Sequence, residues 1–217
     1  MSDHRYEYIL FDLDGTIIDS GEGVTNAVAY ALEKLGIEVK DKNDLKCFIG
    51  PPLLESFKEF YGIEGEDALR AQEYYREVYG SKHLLENEVY DGIPELLERI
   101  KASGRKLVVT TSKPEKYALQ IAKHFDFEKY FDLIAGADLL GKRSNKAQVL
   151  EYALDQLGNP DRSRVILVGD RKYDCDGAAA FGISTIGVLY GYGSEEELRE
   201  HGAKYIANKP EDVYDFL

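Results

Sequence analysis

Short apolar runs that end in acids, hydroxyls or glycine recur along this chain, and they restrict its possible folds more than any other feature. Tyr8-Ile9-Leu10-Phe11, Leu107-Val108-Val109 and Val165-Ile166-Leu167-Val168 lack the polar alternation of a half-solvated strand. Such runs suit strands covered on both faces, as in a parallel sheet. From Ile93 onward strands and helices alternate. The helix at Glu95 to Ala102 precedes a strand at Lys106 to Thr110, and that at Glu115 to Phe125 precedes Phe131 to Ala135. The helix at Asn145 to Leu157 precedes Arg164 to Val168, and that near Gly177 to Phe181 precedes Ser184 to Val188, with a weaker strand at Tyr205-Ile206. This alternation predicts an α/β fold, a Rossmann-like parallel sheet with helices on both faces.

The segment from Glu22 to about Lys82 has a different period. Val24, Ala27, Val28, Ala31, Leu32 and Leu35 recur at helical spacing and stop at Gly36. A second helix is expected after Pro51-Pro52, with Leu53, Leu54, Phe57 and Phe60 on one face. A third is expected over about Glu66 to Lys82, carrying Leu69, Tyr74, Tyr75, Val78 and Tyr79. The resulting organisation is a discontinuous α/β core, residues 1–16 and 88–217, interrupted by an all-helical insert over 17–87. Packing within the insert accounts for the aromatic stripe Tyr74, Tyr75 and Tyr79 better than a binding role does.

Charge limits the partners. With 27 basic and 40 acidic residues among 217, the formal net charge is −13. Such a surface repels nucleic acid and anionic lipid, so neither is an expected partner. A phosphate-bearing substrate would need a local metal, a lysine or helix N-termini to draw it in. Cys47 and Cys175 match no metal spacing. The polar start Met1-Ser2-Asp3-His4-Arg5 runs directly into the first strand, and no apolar run approaches membrane-spanning length. Both features lead to the expectation of a cytoplasmic protein.

Four places carry chemistry. After Phe11 come Asp12, Asp14 and Gly15, two carboxylates two residues apart and then a residue that turns sharply. Like charges held so close need a cation or a shared proton. Thr110-Thr111-Ser112-Lys113-Pro114 places hydroxyls and backbone N–H groups at the mouth of a helix, an anion site. Gly141-Lys142-Arg143-Ser144-Asn145-Lys146 gathers cations at another helix start, where the dipole makes a lysine unhelpful unless it has a counter-anion. Gly169-Asp170-Arg171-Lys172-Tyr173-Asp174 empties a buried strand into two aspartates four apart. If these groups share one sheet edge, they enclose a pocket whose hard oxygen donors suit Mg²⁺. The four histidines are scattered, which argues against zinc.

Asp-Leu-Asp-Gly-Thr at 12–16, Thr111-Ser112, Lys146 and Gly-Asp-x-x-x-Asp at 169–174 resemble, in order, the four motifs of the haloacid dehalogenase superfamily. The chain is similar to its phosphoglycolate phosphatase-like members, including the turn Gly50-Pro51-Pro52 and Thr-Ser-Lys-Pro at 111–114. Many of those members set the third-motif lysine in Lys-Pro-x-Pro; here Ser144-Asn145-Lys146-Ala147 stands instead, so Lys142 is a rival to Lys146.

The resemblance implies hydrolysis of a small phosphorylated metabolite through an aspartyl-phosphate. Asp12 would be the nucleophile, Asp14 the acid and base, and Thr111, Ser112 and Lys146 the phosphate ligands. Mg²⁺ would be held by Asp12, Asp14 and Asp170, with Asp174 supporting. It also implies that the insert, at Gly50, Pro51 and Pro52, selects the leaving group. Phosphoglycolate is the default substrate and a nucleoside 5′-monophosphate its rival, since the insert is so aromatic. A phosphomutase of the same superfamily is a second alternative. A phospho-receiver domain fits least, being about half this length and without an insert.

Overall fold

The computed structural model describes residues 5–139 and 142–217. Met1 to His4, Leu140 and Gly141 lie outside these. Six strands form one parallel sheet: β1 (Tyr8–Phe11), β4 (Lys106–Pro114), β5 (Leu133–Ala137), β6 (Val165–Gly169), β7 (Ser184–Val188) and β8 (Tyr205–Ala207). Their spatial order is β5-β4-β1-β6-β7-β8, so the first strand is central and the chain builds outward on either side of it. That arrangement puts a topological switch point at β1, where ligands of open α/β sheets bind. Ile9, Leu10 and Phe11 are wholly buried, as the unalternating run requires.

Helices cover the sheet: α4 (Ile93–Ala102), α5 (Glu115–His124), α6 (Lys146–Gln156), α7 (Lys172–Ala179) and α8 (Glu195–Glu200). One core cluster joins Leu10, Val108, Val165 and Leu167 from the sheet to Val149, Leu150, Ala153 and Leu154 of α6 and Ala178 of α7. Two elements depart from the expected bounds. β4 runs on to Pro114 with a register shift after Thr111, so its end is irregular backbone and not a plain helix cap. α7 begins at Lys172, with Arg171 at its cap position, well before the Gly177 start that apolar spacing suggests. Its first turn is polar because it faces acids and not the core.

The chain divides into two compact units, one of residues 1–18 and 89–217 and the other of residues 19–88. The second contains α1 (Gly21–Lys34), a 3₁₀ turn at Lys42–Phe48, α2 (Leu53–Tyr61), α3 (Gly65–Val78) and a π turn at Tyr79–His83. Within it Phe48 packs edge-on to Phe57 at 5.1 Å, and Tyr75 stacks on Tyr79 at 5.0 Å. The aromatic residues therefore pack on one another. Of the expected apolar face of α2 only Phe57 is fully buried, while Leu54 and Phe60 are exposed. Two short strands, β2 (Ile18–Asp19) and β3 (Glu88–Val89), pair where the chain leaves and re-enters the first unit.

Candidate active site

The register of the sheet sets the site. Phe11 lies opposite both Val109 and Val168, so Asp12, just past β1, stands level with Thr110 of β4 and Gly169 at the end of β6. Asp12 is fixed there by its own N–H, which donates to Val168 O at 2.9 Å. Ionisable residues converge at this edge or beside it: Asp12, Asp14, Lys113, Lys146, Asp170 and Asp174, all of them buried. Burial of so many charges is costly unless each has a partner.

Lys146 is the centre of the arrangement. It opens α6, whose cap residue Asn145 accepts from the Gln148 N–H at 3.0 Å. Its Nζ lies 2.7 Å from Asp12 Oδ1, 2.7 Å from Asp174 Oδ1 and 2.7 Å from Thr110 O. The counter-anion missing from the helix start is thus supplied by the ends of two other segments. Two glycines admit this contact: a Cβ on Gly169 would collide with the Asp174 carboxylate, and one on Gly177 would meet Lys146 Cγ at 2.6 Å. Lys142, the rival lysine, is exposed, and its backbone N–H donates to Asp138 Oδ1 at 3.1 Å.

Asp174 also accepts from the Arg171 N–H at 3.1 Å, closing the first turn of α7. Asp170 accepts from the Tyr192 N–H at 2.8 Å. The loop after β7, Tyr190-Gly191-Tyr192-Gly193, wraps Asp170 so closely that a side chain at Gly191 would strike Gly15 O and the Asp170 carboxylate. Tyr190 adds a hydrogen bond from its hydroxyl to Thr16 O at 3.1 Å, and Arg171 holds Glu197 of α8 at 3.0 Å. None of the four sequence motifs contains this loop. Its one local signal is glycine alternating with tyrosine soon after a buried strand.

Asp14 has a charged partner besides its neighbour Asp12. The strand stops at Phe11, and just past Asp14 the chain turns at Gly15, with φ +81°. Asp14 Oδ1 meets Lys113 Nζ at 2.6 Å, an ion pair with side chains 11% and 6% exposed. Lys113 carries no local mark of this role, since in the sequence it is one more polar member of the hydroxyl run. Its backbone N–H donates to Thr111 Oγ1 at 3.1 Å, and Ser112 between them is partly exposed. Gly50, Pro51 and Pro52 form the turn into α2 of the helical unit.

Carboxylate oxygens of Asp12, Asp170 and Asp174 all lie within 4.8 Å of one another. Burial pushes the Asp12 carboxyl up to about 7; Lys146 opposes this and Asp174 and Asp14 reinforce it. Asp170 is raised as well, by burial and then by Asp174 and Asp12, against the Tyr192 N–H. Burial would lower Lys146, but Asp12 and Asp174 outweigh it and raise the lysine. Three clustered buried carboxylates, two of them on the Lys146 ammonium, remain short of positive charge, and their all-oxygen donor set fits a hard divalent cation.

The profile of the haloacid dehalogenase-like hydrolases matches residues 9–188. The chain belongs to that family. Among its relatives is a 5′-nucleotidase of Pseudomonas aeruginosa, 46% identical over 91% of this chain and 89% of that one. The tyrosine-protein kinase PtkA of Mycobacterium tuberculosis is 41% identical over 86% of this chain and 63% of its own length. A phosphoglycolate phosphatase of Aquifex aeolicus is 31% identical over 94% and 93%. A crystal structure of a predicted phosphatase from Clostridium acetobutylicum superposes with a TM-score of 0.95 at 46% identity, covering 97% of each chain. This haloacid dehalogenase-like hydrolase therefore has structural kin over nearly its full length.

Proposed function

We propose that this haloacid dehalogenase-like hydrolase is a Mg²⁺-dependent phosphatase that cleaves small phosphomonoesters through an aspartyl-phosphate on Asp12. The carrying observation is the buried set Asp12, Asp170 and Asp174, with Lys146 paired to Asp12 and Asp174. Asp12, Asp170 and a backbone carbonyl at Asp14 would hold Mg²⁺, and Asp174 would orient Lys146. Bound there, the ion would offset negative charge on the phosphoryl oxygens.

Lys146 occupies Asp12 Oδ1, which leaves Oδ2 to attack phosphorus. The bond from phosphorus to the ester oxygen breaks as the one to Oδ2 forms, and Asp14, once free of Lys113 and protonated from water, gives that proton to the departing alkoxide. Water then attacks the phosphorus of the acyl-phosphate, Asp14 takes the water proton, and Asp12 is released. Asp14 must first leave Lys113, and a substrate phosphate offers that lysine another partner. Thr111, Ser112 and Lys146 would hold the phosphoryl oxygens. Acid–base help supplies only about 10²–10⁴-fold of an acceleration that approaches ~10²¹ for phosphomonoesters, so the nucleophile and the fixed cations must supply the rest.

Two substrates stand. The 46% identity to a 5′-nucleotidase favours a nucleoside 5′-monophosphate. The 31% identity to a phosphoglycolate phosphatase supports phosphoglycolate less strongly. The turn Gly50-Pro51-Pro52 of the helical unit is the proposed selector of the leaving group. A phosphate-release panel with Mg²⁺, covering nucleoside 5′-monophosphates, phosphoglycolate and sugar phosphates, tests the assignment. Release from none of them would overturn the phosphatase reading, and conversion of a sugar 1-phosphate to its 6-phosphate would indicate a mutase instead.

A further inference from the structure

We propose that Arg143 is a positioning residue that fixes the end of β4, with Thr111, Ser112 and Lys113, against the start of α6, with Lys146. The proposal rests on the phosphatase reading above. Arg143 lies three residues before Lys146. Its Nε donates to Gly136 O of β5 at 2.6 Å, and its Nη2 meets Glu115 Oε2 at 2.9 Å. The guanidinium lies 3.8 Å over the ring of Tyr152 in α6, and the Arg143 carbonyl accepts the Asp138 N–H at 2.8 Å.

Each partner leads to a different part of the site. Glu115 follows Pro114 directly at the start of α5, so holding Glu115 holds the irregular end of β4. Glu115 Oε2 also accepts the Gly136 N–H at 3.3 Å. A Cβ on Gly136 would come within 2.6 Å of Lys113 O and Glu115 Cα, so β5 lacks a side chain where the end of β4 must approach. Tyr152 ties the same guanidinium to the helix that Lys146 opens. One planar fork thus joins β5, α6 and the start of α5, which follows β4 directly, a task that suits arginine and that a lysine cannot reproduce.

The contribution to stability is modest, because Arg143 and Glu115 are 20% and 31% exposed and screened by solvent. The contribution to geometry is larger, since Thr111 is the last residue of β4 in regular register with β5 and Ser112 and Lys113 sit where that register shifts. Asp12 is anchored separately on β1. Loosening the fork therefore weakens phosphate binding and leaves the nucleophile in place, which is loss of uniform binding and not of transition-state binding alone.

The test uses the full chain with Mg²⁺ and the variants R143A, R143K and E115Q. It reads kcat, KM, the inhibition constant for inorganic phosphate, the Mg²⁺ dependence and Tm. For R143A, KM and the phosphate inhibition constant should rise about tenfold while kcat stays within about twofold. The Mg²⁺ dependence should not move. R143K should fall between R143A and the parent, and E115Q should show a smaller change in the same direction. Unchanged KM and phosphate inhibition in R143A and E115Q would overturn the proposal, as would a fall in kcat at constant KM. If R143A does not fold, E115Q decides alone, since it keeps the contacts to Gly136 and Tyr152. If the parent hydrolyses no phosphomonoester, the phosphatase reading fails by itself. Calorimetry with inorganic phosphate then still tests Arg143, and equal affinity in parent and R143A would overturn its role.

Discussion

Lys113 Nζ lies 2.6 Å from Asp14 Oδ1, and the two side chains are almost fully covered. Removing the ammonium leaves a buried carboxylate with a partner lost, which costs about 3–5 kcal/mol when a buried pair is broken from one side. K113M should therefore lower Tm and reduce kcat/KM, whereas K113R should keep most of the stability. Thermal melts of the three proteins check this; a K113M protein as stable as the parent would contradict the ion pair.

Asp12 belongs to an acid cluster with too little positive charge around it. D12N should abolish turnover by about 10⁴-fold or more, the scale found when a nucleophile is removed. It should change the Tm of the metal-free protein little, because Lys146 loses one buried partner but keeps Asp174, while repulsion within the acid cluster falls. D170N should likewise keep the metal-free Tm but lose the stabilisation that added Mg²⁺ gives, since that gain follows from binding to the folded state. Retention of more than trace activity in D12N would remove Asp12 from the nucleophile role.

The raised Asp12 fixes a pH dependence. Folded and metal-free, the protein keeps the Asp12 proton up to about pH 7, whereas an unfolded aspartate loses it near about 3.9. The folded state binds more protons within that window, so this group's contribution to metal-free stability falls as pH rises through it. Mg²⁺ must displace the proton, so the rise in Tm on adding Mg²⁺ should grow with pH and level off above about 7. Melts with Mg²⁺ and with chelator at about pH 5.5 and about pH 7.5 measure it, and an equal Mg²⁺ effect at both would exclude the raised carboxyl.

Gly191 has no room for a side chain. G191A should push Asp170 from its place, so the Mg²⁺ concentration for half-maximal activity should rise by about tenfold or more. G182A offers a contrast, because Gly182 has open space where a Cβ would stand and only its φ of +68° resists. It should lower stability by about 1 kcal/mol without changing the Mg²⁺ dependence. Metal titrations of activity for both variants separate the two effects.

Most of the sheet was legible because burial on both faces leaves its mark on composition: Ile9 to Phe11 and Val165 to Val168 carry no polar residue at all. Asp12, Asp170 and Lys146 were legible because each lies just past such a run or opens a helix with the wrong charge. Apolar spacing misplaces the start of α7, since a helix that buries acids does not show apolar periodicity in its first turn.

The sequence alone determined which runs become doubly covered strands, that acids end two of them, and that a helical segment interrupts the chain. Only the tertiary structure decided the partners: Lys146 for Asp12 and Asp174, Lys113 for Asp14, the glycine-tyrosine loop for Asp170, and Arg143 across β5, α5 and α6. The physical reason is range. Periodicity and turn chemistry act over a few residues and are written locally. Lys146 and Asp12 are 134 residues apart in sequence and meet only because parallel register brings distant strand ends level.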